Sequence, residues 1–282
     1  MPGYFAALTI VLMLGMVLTR VLLMKRKGIE AMQFGKIDKK DFLQGEFHYD
    51  NRKQKMTAGG FIFSALITIL IFPAVILFAS GNWLWPEGWI FSLWFDAMVL
   101  SNMIYLYRND PALLAERTKA PGSDNQKQWD KYLLTGVYLM AIVWFILMPL
   151  DAERFGWSPI FPGWAKVLGG VALIPALYLI YRATVENTFL STMVRIQTER
   201  KQQVISTGVY GIVRHPLYLG CLLMLIGAPL LLGSIAGLSI GLIAFLVLAG
   251  RILGEEKMLI AELEGYEDYR KKVAYRLIPF VW

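Results

Sequence analysis

Long apolar runs recur along this chain, and most of them are long enough to cross a membrane. Seven runs stand out, at residues 4–24, 60–80, 89–107, 132–150, 164–181, 217–232 and 234–250. A helix of about 20 apolar residues spans the hydrocarbon core of a bilayer, where the backbone must satisfy its own hydrogen bonds. Because 56% of the 282 residues are hydrophobic and only 17% are charged, we predict an all-α, polytopic integral membrane protein with about seven transmembrane helices.

The positions of the positive charges predict the orientation of the chain. Of the 28 Lys and Arg residues, 24 lie in the connections after the first, third, fifth and seventh runs, and the alternate connections hold only Arg154. Lys and Arg resist translocation and therefore stay in cytoplasmic loops. We expect the N-terminus outside and the C-terminus in the cytoplasm.

The net charge of +7 could also indicate nucleic-acid binding. The basic run at residues 25–27, however, directly follows the first apolar run, and no aromatic-interleaved basic surface accompanies it. Basic residues beside a membrane helix are typical of cytoplasmic loops and attract anionic lipids. We therefore predict contacts with membrane lipids and no nucleic-acid partner.

Two connections have recognisable backbone signals. Asn109 and Asp110 precede Pro111, which predicts that one helix stops and a new helix starts with proline at its first position. The long connection at residues 182–214 alternates polar and β-branched residues, which favours extended backbone.

Two polar clusters lie at the ends of the last two apolar runs. The first, GVYGIVRHPLYLG at 208–220, contains Arg-His-Pro-x-Tyr where a polar loop enters a hydrophobic helix, and the second, RILGEEKML at 251–259, contains an Arg followed by a Glu pair. Only about one residue, Gly233, separates the two runs, so a tight hairpin should bring both clusters to the cytoplasmic side. Ionisable groups are costly to desolvate at membrane helix ends, which favours a polar ligand site here.

These motifs resemble the C-terminal half of the isoprenylcysteine carboxyl methyltransferase family, whose wider superfamily includes phospholipid N-methyltransferases. The resemblance covers roughly residues 186–282, and a weaker similarity to bacterial members extends back through RNDPALLAER and WDKYLL. Its specific part is the ordered combination of Arg-His-Pro-x-Tyr, a Glu pair about 40 residues later and a closing Gly-Tyr-x-x-Tyr. The chain is thus identified as a bacterial-type member, which implies an inner-membrane protein with a cytoplasmic active site.

The resemblance implies S-adenosylmethionine as the cofactor. The cofactor-binding residues that it implies are Gln197, Gln202, Gln203, Val204, Ile205, Tyr210, His215, Pro216, Leu217, Tyr218, Glu255 and Glu256. Arg251 and Glu255 are implied to be catalytic, with Arg251 also binding the anionic group of the substrate, and no metal site is implied. Bacterial relatives often carry His where this chain has Gln202, so a side-chain contact to the cofactor is replaced or lost there, while backbone contacts from Val204 and Ile205 could persist.

The residue types suit this cofactor, which carries a sulfonium, an ammonium and a carboxylate. Glu255 can accept from the ammonium, and the rings of Tyr210 and Tyr218 offer flat walls that favour a nearby cation. Arg251 and Glu255 could instead form an ordinary helical ion pair, since they are four residues apart. His215 could simply end an extended segment before proline. An ionised acceptor needs no general base, so catalysis should rest on positioning and desolvation.

We therefore predict a methyltransferase that acts on a lipophilic acceptor, most simply a carboxylate of the prenylcysteine type. Residues 1–181 are expected to form a membrane region of five helices, and residues 182–282 the catalytic region with the hairpin and a cytoplasmic tail. The acceptor and the oligomeric state stay open. So does the role of Asp96, as a helix-to-helix hydrogen bond or as the polar lining of a substrate tunnel.

Three alternatives remain. A sterol C14-reductase-like, NADPH-dependent reductase shares a similar Arg-His-Pro turn and closing segment, but it has Arg-Asp and later Cys residues where this chain has Glu255 and Glu256. A phospholipid or small-thiol methyltransferase would use the same cofactor. A scaffold or transporter would leave the polar clusters without convergent geometry, and no inverted repeat is evident.

Overall fold

The structure, a computed structural model, describes residues 58–119, 122 and 125–282, and no strand occurs among them. Their α-helices are α1 (Ala58–Ser80), α2 (Pro86–Asn109), α3 (Pro111–Arg117), α4 (Gln128–Pro149), α5 (Gly163–Glu186), α6 (Pro216–Leu232), α7 (Ile235–Glu262) and α8 (Tyr266–Lys272). In this part of the chain, five helices are long and apolar enough to cross a membrane: α1, α2, α4 with its π-helical end, α5 and α7. Helix α6 is apolar but has only 17 residues.

The predicted all-α membrane fold is confirmed. Helices occupy six of the seven predicted spans, from 60–80 onward, whereas the span 4–24 lies outside the described residues. The orientation of the termini and the division between residues 181 and 182 stay predictions. The stretch expected to be extended differs in part, because α5 continues to Glu186 and short 3-10 turns interrupt the loop that follows. Side chains hold this loop in place, and no strand pairs with it in the described structure.

The break between α2 and α3 follows the predicted signal. Helix α2 ends at Asn109, and Asp110 caps α3 by accepting a hydrogen bond from the Leu113 backbone N–H at 2.9 Å. Pro111 is the first residue of α3, a position where the missing N–H costs nothing. The predicted stop and restart are confirmed.

Helices α6 and α7 form the predicted tight hairpin. Gly233 joins them with φ of +84°, a left-handed conformation that glycine adopts without strain. Ser234 caps α7 by accepting from the Gly237 N–H at 2.8 Å, and its hydroxyl donates to Asp151 at 2.6 Å. Asp151 also accepts from the Ala236 N–H at 3.1 Å. These bonds fix the turn, so the start of α6 and the end of α7 lie side by side.

Glycines let α5 and α6 approach closely. A Cβ atom added to Gly169 would lie 2.3 Å from the Leu231 backbone nitrogen, and one added to Gly227 would lie 2.9 Å from the Gly169 carbonyl oxygen. On the same face, a Cβ on Gly220 would lie 2.7 Å from the Ile180 side chain. Membrane helices associate through such small residues, because close packing replaces the hydrophobic driving force. The hairpin is therefore held against α5 by backbone contact.

Gly169→Ala should destabilise the protein, because the new Cβ meets backbone atoms that cannot rotate away. We expect a loss of about 1 to 3 kcal/mol in the free energy of unfolding. The control is Gly170→Ala, whose Cβ would meet nothing closer than 3.9 Å. That change should be neutral or should stabilise the helix by up to about 1 kcal/mol. Unfolding experiments in detergent measure the free energy of unfolding of both variants. Equal values would contradict the close contact between Gly169 and the backbone of α6.

Candidate active site

A cavity of about 320 Å³ lies among α4, α6, α7 and the loop between α5 and α6. Its apolar wall comes from α4, α6 and α7 and includes Leu134, Val137, Met140, Trp144, Phe145, Met224, Leu225, Ala244 and Leu248. The rest of the wall comes from the loop and the helix ends, and it carries arginine, tyrosine and carboxylate side chains. A long apolar wall with a polar end suits an amphiphilic ligand.

Most of the residues singled out in the sequence lie around this cavity. Those that line it are Gln202, Gln203, Val204, Ile205, Tyr210, His215, Pro216, Leu217, Tyr218, Arg251 and Glu255. The hairpin brings the two polar clusters together, as the spacing predicted, since the Tyr218 hydroxyl lies 2.9 Å from Glu255. The assignment of these residues to cofactor binding stays a prediction.

Glu255 presents a carboxylate to the cavity. One oxygen accepts the hydrogen bond from Tyr218, and the other makes no hydrogen bond within the described part of the chain. The helical ion pair that the spacing of Arg251 and Glu255 allowed is not formed, because Arg251 turns to a different carboxylate. Glu255 thus keeps acceptor capacity for a ligand.

Asp130, in the first turn of α4, is the partner of Arg251. The Arg251 Nε donates to Asp130 Oδ1 at 2.7 Å, and its Nη2 donates to the Thr192 carbonyl at 2.6 Å. Asp130 is fully buried and also accepts from the Val194 N–H at 2.8 Å and the Gln126 amide at 2.7 Å. Asp130 is not among the residues that the sequence motifs singled out, although an acid in the first turn of an apolar helix was a usable signal. The role of Arg251 as substrate anchor stays a prediction. Its guanidinium charge is balanced by Asp130.

Glu256 does not line the cavity. One oxygen accepts from Arg214 Nε at 2.6 Å and lies 3.2 Å from His215 Nε2, and the other accepts from Arg276 Nε at 2.7 Å. Arg214 also donates to the Val273 carbonyl at 2.6 Å. Glu256 therefore clamps the Arg-His-Pro turn to the C-terminal tail. Because both of its oxygens are engaged, the geometry gives no support to its predicted place among the cofactor ligands.

Gln197 is buried behind the cavity wall. Its side-chain amide donates to the Phe189 carbonyl at 2.8 Å, and its oxygen accepts from Arg200 at 2.8 Å. The Gln197 backbone N–H donates to the Gln202 side-chain oxygen at 2.8 Å. Gln202, the position where bacterial relatives often have His, thus braces the loop and still faces the cavity. Gln197 shapes the loop from outside the wall.

A buried ion pair fastens this loop to α3. Arg195 donates from Nε and Nη2 to the two oxygens of Glu116, each at 2.8 Å. Burial acts to raise the pKa of Glu116, but the donors Arg195 and Lys119 outweigh burial and hold that pKa at about 2. The pair is therefore ionised at neutral pH, and it keeps the loop over the cavity.

Glu255 and Glu256 are neighbours on α7, but replacing each with Gln should change the free energy of unfolding by different amounts. Glu256→Gln leaves buried Arg214 without its carboxylate, so we expect a loss of about 3 to 5 kcal/mol in the free energy of unfolding. Glu255→Gln keeps an oxygen that can accept from Tyr218, so we expect a loss of less than about 1 kcal/mol. Unfolding in detergent compares them. Equal losses would contradict the separate positions of the two side chains.

Comparison with known proteins finds similarity in the segment that contains most of the residues around the cavity. Residues 171–261 match the sequence model of the isoprenylcysteine carboxyl methyltransferase family. A stretch of 85 residues is 33% identical to protein-S-isoprenylcysteine O-methyltransferase of Schizosaccharomyces pombe. That stretch is 29% of this chain and 36% of the yeast protein, so the chain spans about a third of the length of this curated relative.

The family match includes every residue that the resemblance assigned to the site, from Gln197 to Glu256. Arg117 and Asp130, which also contribute to the cavity or its support, lie outside it. The motifs predicted this similarity. Residues 171–261 are thus similar in sequence to the isoprenylcysteine carboxyl methyltransferase family.

Proposed function

We propose that this protein is an S-adenosylmethionine-dependent methyltransferase whose acceptor is a lipophilic carboxylate of the prenylcysteine type. The observation that carries the proposal is the cavity, in which an apolar wall formed by α4, α6 and α7 meets a polar end. That polar end is built mainly by the segment similar to the methyltransferase family. A soluble cofactor and a membrane-embedded acceptor need such a shared space.

The residues of the polar end fit the cofactor. The Glu255 oxygen that no described residue engages suits its ammonium group, and the Tyr210 and Tyr218 rings suit its adenine or its sulfonium. Tyr210 donates to the Ala183 carbonyl at 3.3 Å, and burial raises the pKa of its hydroxyl, so the ring stays neutral. When bound, the cofactor supplies a sulfonium methyl group that passes to a carboxylate oxygen as the C–O bond forms and the S–C bond breaks, with no proton transferred.

The residues of this chain position the reacting groups and exclude water from them. Attack of an anion on a sulfonium methyl neutralises both charges, so a site that excludes water favours the reaction. His215 faces Glu256, so it is held in the clamp, in keeping with a reaction that needs no general base. The apolar wall holds the lipid part of the acceptor, which orders the reacting groups before the chemical step.

The acceptor enters from the bilayer, and the polar end faces the cytoplasm. The support is the distribution of Lys and Arg, which favours a cytoplasmic side for the loop between α5 and α6 and for the end of α7. We infer a bacterial inner membrane as the location. The lipid part of the acceptor then lies along α4, α6 and α7.

Methyl transfer from labelled S-adenosylmethionine to N-acetyl-S-farnesylcysteine tests the proposal in the detergent-solubilised protein. We expect a base-labile methyl ester as product. Glu255→Gln should weaken cofactor binding by about 1.5 to 3 kcal/mol, because one charge-assisted hydrogen bond is lost.

The control for Glu255→Gln is Glu262→Gln, on the same helix, where the side chain is 44% exposed and pairs with Lys127. Such exposed pairs contribute little, so its cofactor affinity should be unchanged. Absence of ester with bound cofactor would refute the acceptor class. Equal cofactor affinity in both variants would remove Glu255 from the site.

A further inference from the structure

Four arginines line the cavity, and three of them pair with a carboxylate. Arg195 pairs with Glu116, Arg214 with Glu256, and Arg251 with Asp130. The fourth, Arg117 at the end of α3, makes no ion pair with any carboxylate in the described part of the chain. Among the arginines that line the cavity, Arg117 is thus the one without a carboxylate partner in the described residues.

The contacts of Arg117 leave most of its guanidinium available. Within the described residues its side chain makes one hydrogen bond, from Nη1 to the Leu190 carbonyl at 3.3 Å, which is long for a charged donor. Arg117 is half-buried, since it faces the cavity, and the surrounding protein desolvates it enough to lower its pKa. A desolvated cation without a partner is costly, and a bound anion would relieve that cost.

Arg117 lies where the apolar wall meets the polar end. It lines the cavity together with Tyr138 on α4, Cys221 on α6 and Tyr210 in the loop. Glu255 lines the same cavity, so a cation and an anion both border it. The acceptor's lipid chain would occupy the wall that contains Tyr138 and Cys221, which places its head group beside Arg117.

We propose that Arg117 binds the carboxylate of the acceptor and so makes the site selective for anionic lipophiles. The proposal rests on the proposed function, because it assigns the substrate class of the same cavity. The planar guanidinium can donate two parallel hydrogen bonds to a carboxylate, a geometry that a neutral amide cannot match. Arg251, which shares its charge with Asp130, then supports the wall and leaves recognition to Arg117.

The test compares N-acetyl-S-farnesylcysteine with its carboxamide, which differs only in the head group. Calorimetry on the full-length protein, saturated with S-adenosylhomocysteine, measures both affinities. The wild type should prefer the acid at least about tenfold, and Arg117→Met should lose that preference by weakening the acid alone. Arg108→Gln is the matched control, because Arg108 is an exposed arginine at the end of α2 and should keep the preference.

The results show whether Arg117 binds the carboxylate of the acceptor or that of the cofactor. A retained preference for the acid in Arg117→Met overturns the proposal. Loss of S-adenosylhomocysteine affinity with an intact acid preference also overturns it, because Arg117 then binds the cofactor's carboxylate. If Arg117→Met does not fold, Arg117→Lys decides: the acid should bind at least about threefold more weakly with the amide unchanged, and equal acid affinity overturns the proposal. A wild type that binds no S-adenosylhomocysteine refutes the proposed function itself.

Discussion

Pairing of buried charges at the ends of membrane-spanning helices holds this structure together. Asp130 at the start of α4 neutralises Arg251 near the end of α7, and both are buried. Glu256, close by on α7, neutralises Arg214 at the entry to α6. A charge desolvated at these positions without a partner would cost several kcal/mol, so each pair fixes its helix ends relative to one another. The cavity is the space enclosed by these fixed ends.

Buried charged side chains also tie the loop between α5 and α6 to the helices. Asp130 accepts from the Val194 N–H, and Arg195 pairs with Glu116 of α3. An irregular loop exposes backbone donors and acceptors that a strand or helix would have satisfied internally. Side chains satisfy part of these donors and acceptors, and residues 202–205 line the cavity. A polar end thus forms next to an apolar wall without regular secondary structure.

The sequence predicted the hairpin and the meeting of its two polar clusters, because a connection of one glycine between two apolar runs is long enough only for a tight turn. It could not predict the partner of Arg251, since Asp130 lies 121 residues away and helical spacing favoured Glu255. Nor could it separate Glu255 from Glu256. Consecutive helical residues point about 100° apart, so one side chain faces the cavity and its neighbour faces the tail. Which one faces inward depends on how α7 packs, and that is a tertiary property.

The central claim is that this cavity binds S-adenosylmethionine, and direct calorimetry on the purified wild-type protein tests it with least ambiguity. Titration with S-adenosylmethionine and, separately, with NADPH distinguishes a methyltransferase from a reductase with a similar Arg-His-Pro turn. We predict saturable binding of S-adenosylmethionine at one site per chain and no binding of NADPH. Saturable binding of NADPH without binding of S-adenosylmethionine would contradict the claim.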